Sequence, residues 1–376
     1  MPTVIRQACI DDKSAIWDFL KKAYGDASSL KIPDRWNWEY LENPYVDEGG
    51  KELAIFIAIN NGEIVGQMCA TPCQIKIGDE IHQIAPAADL IVLPHCRGKG
   101  IAEKLVKAIA EHYKLYMSIS CAPTSRRIFD RLGCNTIESI PCYKRLVKVN
   151  PEIVFRFLMR KTKNHLYLRR LANIGCSVWM DKIISFILNI AIGIRYFRER
   201  RAKEECRTSI RKVDRFGDEI DQLWNATNHK FDIIVKRDQK YLNWRFTNNT
   251  QLRYSSFVST RDGVPNGYIV LREPDPIELD IGIIVDLFVA PDDNKTVEYL
   301  IKHAINFFDK SVTVIECHTS QREFQRALSK LGFFKIKKTE PIFLCTEPEL
   351  INKIFKSKNN WFLSKADHDW DQLRPA

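Results

Sequence analysis

The chain has 376 residues, 45% hydrophobic and 28% charged. That composition is ordinary for a soluble globular protein and excludes a disordered or fibrous chain. The net charge of +10 suggests an anionic partner, whether nucleic acid, a membrane surface or a phosphate-rich cofactor.

The length allows two domains, each with its own core. Eleven cysteines are scattered through apolar segments, with no CxxC pair and no histidine at zinc-finger spacing. This argues against a structural metal and for free thiols in a reducing compartment. The first residues, MPTVIRQACIDD, contain no apolar signal core, so a cytoplasmic location is expected.

In chain order, Val4-Ile5-Arg6 reads as a strand, and Asp11-Asp12 leads into an amphipathic helix through Trp17, Phe19 and Leu20. An aromatic segment follows at Trp36-Asn37-Trp38-Glu39-Tyr40. The stretch AIFIAINNGEIVGQM has the alternation and central Gly of a hairpin. Asp89-Leu90-Ile91-Val92-Leu93-Pro94 reads as a strand ending in a proline. Arg97-Gly98-Lys99-Gly100 forms a basic loop. A helix then runs from Ile101, with Ile101, Leu105, Ala108 and Ile109 on one face and no side-chain cap. Strand, glycine loop and helix together turn backbone N–H groups and a helix dipole toward an anion, and the glycines let a phosphate approach closely. The loop lacks the GxxxxGK-Ser/Thr of a Walker A motif and the GxGxxG of a dinucleotide fold.

Residues 151–205 carry twelve Lys or Arg against five acids, a net of +7. They enclose the apolar stretch Ile174 to Ile194, which Asp181-Lys182 interrupts. Three readings stay open for this connector: helices packed between two domains, an in-plane helix on an anionic leaflet, or a transmembrane span. The basic residues of 156–203 suit the second reading. They lack interleaved polar aromatic platforms, which argues against nucleic acid.

Beyond the connector the landmarks recur in the same order. Ser209-Ile210-Arg211 precedes a helix through Ile220, Leu223 and Trp224. Leu242-Asn243-Trp244-Arg245-Phe246 matches the aromatic segment, and YSSFVSTRDGVPNGYIVL matches the hairpin. Asp286-Leu287-Phe288-Val289-Ala290-Pro291 matches the strand from Asp89. Lys330-Leu331-Gly332-Phe333 matches Arg131-Leu132-Gly133-Cys134. We therefore expect an α/β fold with mixed sheets, built as two tandem domains. The boundaries are 1–148, a helical connector at 149–206, a second domain at 207–346, and a C-terminal helix and tail at 347–376. In the second copy Asp292-Asp293-Asn294 replaces the glycine loop, and acids there repel a pyrophosphate. The tail around Asp367, His368 and Asp369 reads as solvated.

The loop PHCRGKGIA resembles the (Gln/Arg)-x-x-Gly-x-(Gly/Ala) motif of the GCN5-related N-acetyltransferase (GNAT) superfamily, with Arg97, Gly100 and Ala102 at the defining positions. Asp89 to Val92 resembles that family's splayed fourth strand. SRRIFDRLGC, from Ser125 to Cys134, resembles its fifth-strand-to-helix segment, with Phe129 where a tyrosine is usual. The resemblance implies an acyl-CoA cofactor, acetyl-CoA or another. The pyrophosphate would lie on Arg97, Gly98, Lys99, Gly100, Ile101 and Ala102, and the pantetheine arm along Leu90 and Val92. It further implies a small-molecule amine acceptor that attacks the thioester directly, and an acceptor cleft walled by Tyr40, Asn43 and Tyr45. Asp89 is the candidate general base. An amino sugar of an envelope polysaccharide is the suggested acceptor. The alternatives are an acyl-CoA sensor without turnover and a long-chain N-acyltransferase at a membrane surface. Trp38 and Trp244 read as core, Cys121 as a buried thiol, and His95 as surface.

Overall fold

The computed structural model describes residues 2–46, 51–149, 182–183, 185–190, 208–275, 280–309, 311–357 and 361–372. The larger of its two mixed sheets is built mainly from the first part of the chain. Its strands are β1 (Val4–Cys9), β2 (Glu52–Asn60), β3 (Glu63–Ala70), β4 (Cys73–Ile77), β5 (Glu80–Val92), β6 (Leu115–Ser118) and β7 (Asn135–Thr136). The helices of this part are α1 (Lys13–Tyr24), α2 (Asp34–Tyr40), α3 (Ile101–Tyr113) and α4 (Pro123–Arg131). The amphipathic pattern of α3 buries Ile101, Leu105, Val106, Ile109, Ala110 and Tyr113. Close packing of α3 on the sheet is possible because Gly66 has no side chain. A Cβ there would lie 3.0 Å from the Ile91 carbonyl and 3.3 Å from Leu105.

The second sheet has the order β15-β8-β14-β13-β12-β11-β9. Its strands are β8 (Ile140–Leu146), β9 (Thr208–Val213), β11 (Tyr254–Arg261), β12 (Val264–Arg272), β13 (Ile281–Val289), β14 (Val314–His318) and β15 (Phe334–Thr339). Its helices are α5 (Glu219–Thr227), α6 (Gln239–Leu242), α7 (Asn294–Phe307) and α8 (Arg322–Lys330). Gly267 repeats the part of Gly66. A Cβ there would lie 3.1 Å from the Phe288 carbonyl and 3.2 Å from Leu300 of α7.

The sheets do not divide at the boundaries drawn from the sequence. Strand β8, from the first part, lies between β14 and β15 of the second sheet, pairing Tyr143 with Cys317 and Lys144 with Phe334. Conversely β16 (Ile342–Cys345) pairs with β6 and β7 of the first sheet, Ile342 opposite both Ser118 and Thr136. The short β10 (Ile233–Val235) adds to β4, and β17 (Trp361–Phe362) adds to β10. These exchanged strands satisfy edges that would otherwise present unpaired N–H and C=O groups. The largest apolar cluster accordingly mixes both parts, with Ile75, Met117 and Ile140 beside Val235, Phe257 and Leu287.

Trp38 and Trp244 sit at the contact of the two aromatic segments. Their rings stack at 5.3 Å, Trp38 Nε1 donates to the Trp244 carbonyl at 2.7 Å, and Trp244 Nε1 donates to the Trp38 carbonyl at 3.1 Å. Each buried indole N–H thereby finds an acceptor, and the core reading of both holds.

Most of the connector lies outside the described residues, and so do most of the basic positions of 156–203 assigned to a membrane. Within 182–190, Ser185 is buried, and the Asn189 side chain exchanges two hydrogen bonds of 2.9 Å with the Val149 backbone. Ile183, Phe186, Ile187 and Ile190 are exposed. Among the described residues no helix is long and apolar enough to cross a membrane.

The tail is not solvated. After α9 (Pro348–Lys356), residues 361–372 run through the protein, with Asp367, His368 and Asp371 buried. Tyr241 Oη and Arg245 Nε donate to the Ala366 carbonyl, and Arg245 Nη2 donates to the His368 carbonyl at 3.0 Å. The sequence reading failed here because the partners of this polar segment lie more than a hundred residues away.

Candidate functional site

The glycine loop takes the form its residues require. Gly98 and Gly100 have φ of +78° and +73°, a region that side-chain-bearing residues rarely enter. A Cβ on either would meet nothing within 4 Å, so the space above the loop is open. Gly100 is the N-cap of α3, and no side chain caps that helix. The first turn therefore presents backbone donors and the positive end of the dipole to the open side. Arg97 and Lys99 are exposed beside it, and Arg97 Nε donates to the Val92 carbonyl, tying loop to strand. Ile101 is buried and Ala102 half-buried, so they anchor the helix start through packing.

Strand β5 leads from this loop to a cavity. It runs parallel to β6 only at Ala85 opposite Tyr116 and Pro86 opposite Met117. Beyond Pro86 that edge of β5 has no strand partner among the described residues, and the two strands part. On its other edge, Asp89 and Leu90 oppose the single residue Met68 of β3, between the Cys69–Ala88 and Gln67–Ile91 pairs. This is a β-bulge, and Asp89 takes φ of +39° within it. The cavity in the parting has a volume of about 250 Å3. Asp89 and Leu90 line it from β5, Ser120 and Cys121 from the loop after β6, Ser125 and Phe129 from α4, and Tyr24, Lys31, His368 and Asp369 from more distant segments.

The charges at the cavity are paired across the chain. Lys31 Nζ donates to both carboxylate oxygens of Asp89, at 2.6 and 2.8 Å. Buried Arg35 bonds Glu39 at 2.8 Å and reaches Asp369 Oδ2 at 3.1 Å. Burial, with the Asp89 charge second, raises the Tyr24 hydroxyl well above the usual phenol range, so it stays protonated. Burial likewise raises the Cys121 thiol, and the described cysteines are free. His368 lines this cavity and also a smaller one of about 20 Å3, bounded by Glu39, Thr71 and Arg245.

The sequence-derived residues divide into two groups. Asp89 and Leu90 reach the cavity, while Val92 and the loop from Arg97 to Ala102 lie farther along the same strand and into α3. Tyr40, Asn43 and Tyr45 do not line it. Tyr40 is buried against Trp36. Asn43 bonds the Pro72 carbonyl and the Tyr45 N–H. Tyr45 packs on Tyr241 and Trp244 at the contact between the two parts. The expected cleft wall is instead divided, with Tyr40 and Asn43 committed to packing and hydrogen bonds inside the first part and Tyr45 alone to the contact between the parts. His95 is exposed, as read. Sequence reasoning missed Tyr24, Lys31, His368 and Asp369. One signal existed, since Lys31 precedes Trp38 at the same spacing by which Arg237 precedes Trp244.

The second part repeats the strand geometry with a different outcome. Asp286 of β13 is bound by Arg237 Nε at 3.1 Å, and Arg237 Nη2 also holds Asp367 at 2.9 Å. Ser364 Oγ donates to Asp286 at 2.8 Å, and Thr319 bridges Ser364. The chain's own residues 361–367 thus fill the parting between β13 and β14. At the helix start, Asp293 caps α7 by accepting from Thr296 N at 3.1 Å, and it also accepts from Arg261 and Asn266. Burial alone would raise this carboxyl, but these hydrogen bonds outweigh it and lower it. One further cluster, Cys142, Glu316 and His318, lies within 4.8 Å. Lys144 and Lys365 already hold Glu316 at 2.9 and 2.7 Å, so it is an ion-pair network.

Comparison with known proteins agrees with this geometry. Residues 4–137 match the acetyltransferase (GNAT) domain family. No curated protein sequence matches the chain. Solved structures that share the fold include the following three. A GCN5-related N-acetyltransferase from Anabaena variabilis has a TM-score of 0.57 at 13% identity, covering 95% of this chain and 75% of its own. The Saccharomyces cerevisiae N-myristoyltransferase with bound myristoyl-CoA has a TM-score of 0.53 at 13% identity, covering 91% and 83%. A GCN5-related N-acetyltransferase from Kribbella flavida has a TM-score of 0.54 at 10% identity, covering 92% and 71%.

Proposed function

We propose that this chain, which carries a GNAT acetyltransferase domain at residues 4–137, is an acyl-CoA-dependent N-acyltransferase with one working site. The observation that carries the reading is the continuity of one strand. Strand β5 connects an uncapped, glycine-framed helix start to a polar cavity, and its free edge runs between them. An acyl-CoA fits this path. Its pyrophosphate would accept from the amides at Gly98 to Ala102, aided by Arg97 and Lys99. Its arm would pair with the free edge at Leu90 to Val92, which places the thioester at Asp89.

The acceptor is a primary amine on a polar molecule, and an amino sugar suits the Ser120 and Ser125 hydroxyls and the Asp89 and Asp369 carboxylates. The amine attacks the thioester carbonyl, the C–S bond breaks, and CoA leaves as the thiol. Asp89 acts mainly through charge, since Lys31 occupies both its oxygens.

A second reading rests on a different observation. The exposed apolar set Ile183, Phe186, Ile187 and Ile190, within a connector of net charge +7, suits the surface of an anionic membrane, where a long-chain donor or lipid-linked acceptor would be met. Flotation with phosphatidylserine vesicles tests it. Binding that survives replacement of those four residues by Ser would remove it.

The main reading is tested by calorimetric titration with acetyl-CoA and longer acyl-CoAs, together with thiol release in the presence of an amine panel. Saturable binding with thiol release is expected. Binding without release from any amine would leave a sensor, and no binding would remove the reading.

A further inference from the structure

We infer that His368, delivered by the C-terminal segment, is the catalytic base that deprotonates the acceptor amine, with Asp369 as its positioning residue. This rests on the acyltransferase reading above. His368 is 6% exposed and lines the cavity that holds Asp89 and Cys121. Its Nε2 has no hydrogen-bond partner among the described residues. A buried polar nitrogen left in this way is costly unless a ligand or water completes it. Its Nδ1 lies 2.5 Å from Asp369 Oδ1, a close approach that lacks hydrogen-bond alignment. This carboxylate offsets the imidazolium charge and leaves Nε2 as the accepting nitrogen.

The alternatives within the cavity are committed. Asp89 is held at both oxygens by Lys31. Burial keeps Tyr24 and Cys121 protonated, so neither accepts a proton. On the tail side, Glu39 is bound by Arg35, and Asp367 by Arg237. Arg245 Nη2 donates to the His368 carbonyl and so fixes the backbone that carries the imidazole into the cavity. The smaller cavity behind it, about 20 Å3 in volume, is large enough for one water.

The step balances as follows. The acceptor arrives as an ammonium and gives one proton to His368 Nε2. The freed lone pair attacks the thioester carbonyl. On collapse the C–S bond breaks with its electron pair on sulfur, and the thiolate takes a second proton from the acceptor nitrogen, which keeps its third as the amide N–H. Amide and CoA thiol leave, and the imidazolium releases its proton to solvent.

The test uses the full chain, acetyl-CoA and two acceptors: a primary alkylamine, protonated at neutral pH, and hydroxylamine, which is already unprotonated. For His368→Gln, kcat with the alkylamine should fall roughly 100-fold or more, as for loss of a general base. Acetyl-CoA affinity should stay within about twofold, and the loss with hydroxylamine should be much smaller. Asp369→Asn, the second variant should His368→Gln fail to fold, should lower kcat by roughly tenfold with KM for acetyl-CoA unchanged. Unchanged kcat in His368→Gln, or an equal loss with both nucleophiles, would overturn the inference while leaving the acyltransferase intact. A wild-type chain that binds no acetyl-CoA would remove the underlying reading instead.

Discussion

The starts of α3 and α7 follow the same strand-and-proline lead but face opposite ways chemically. Before α3 the chain places glycines in left-handed conformations and leaves the helix uncapped. Before α7 it places Asp293, which caps the helix and is itself held by Arg261 and Asn266. The partings of the strands differ in the same sense. Between β5 and β6 there is a cavity of about 250 Å3, whereas residues 361–367 fill the parting between β13 and β14. One part leaves its backbone donors and its cleft open, and the other occupies them with its own residues. The tail joins the two states, sealing one cleft with Ser364 and Asp367 and lining the other with His368 and Asp369.

That contrast can be broken at graded strengths. The largest effect belongs to the sealed side. Arg237→Met leaves Asp286 and Asp367 buried without their cation and should cost about 3–5 kcal/mol in chemical denaturation. Lys31→Met at the open cleft should cost clearly less, because Asp89 faces a cavity where water can reach it. Equal costs would mean that the two clefts are equally closed.

Next is acid sensitivity. Burial would raise the Glu316 carboxyl, but the charge of Lys365, reinforced by His318 and Lys144, outweighs it and lowers it to about 2. The folded value lies below the unfolded one. This stabilisation is therefore complete above the ordinary glutamate range, near 4.5, and is lost as pH falls toward 2, on the order of 3 kcal/mol in all. His318, lowered to about 3 by burial and by Lys365, starts the decline earlier, since the unfolded chain takes up its proton first. Glu316→Gln should flatten the denaturation free energy between pH 5 and pH 2 relative to wild type. A parallel decline in both chains would place the acid sensitivity elsewhere.

At the open helix start, Gly100→Val forces a β-branched residue to φ of +73° and places a side chain over the amides. Acetyl-CoA affinity should fall by roughly 100-fold, about 2.7 kcal/mol. The mirror change, Asp293→Ala, removes a cap and should cost about 1–2 kcal/mol of stability with acetyl-CoA affinity unchanged. The smallest effect is at Asp292, whose exposed pair with Lys230 is screened by solvent. Asp292→Asn, which suits the left-handed φ of +60° there, should change stability by less than about 0.5 kcal/mol and binding not at all.

The legible parts of this site were the local ones. Gly98, Gly100 and the helix face of Ile101, Leu105 and Ile109 express backbone conformation and amphipathic spacing, which short stretches encode. Asp89 was visible because it heads a sequence motif that recurs at Asp286. The tail was not legible, because the segment that carries His368 is held at its backbone by Tyr241 and Arg245, more than a hundred residues earlier in the chain. The exchange of β8 and β16 was also hidden. The apolar pattern of Ile140, Cys142 and Tyr143 requires burial in a sheet but does not say which sheet, and each strand satisfies its pattern in the other part. Tyr40, Asn43 and Tyr45 show the converse error, because polar and aromatic residues that could face a ligand are equally suited to a core, as at Tyr40, to a buried turn, as at Asn43, or to a contact between packed parts, as at Tyr45.

The account is tested most directly by the stoichiometry of acetyl-CoA in a calorimetric titration of the wild-type chain and Gly100→Val. One site per chain, lost or weakened roughly 100-fold in the variant, is the predicted result. Two sites per chain, or a single site whose affinity is the same in both proteins, would contradict the division into one open and one self-occupied half.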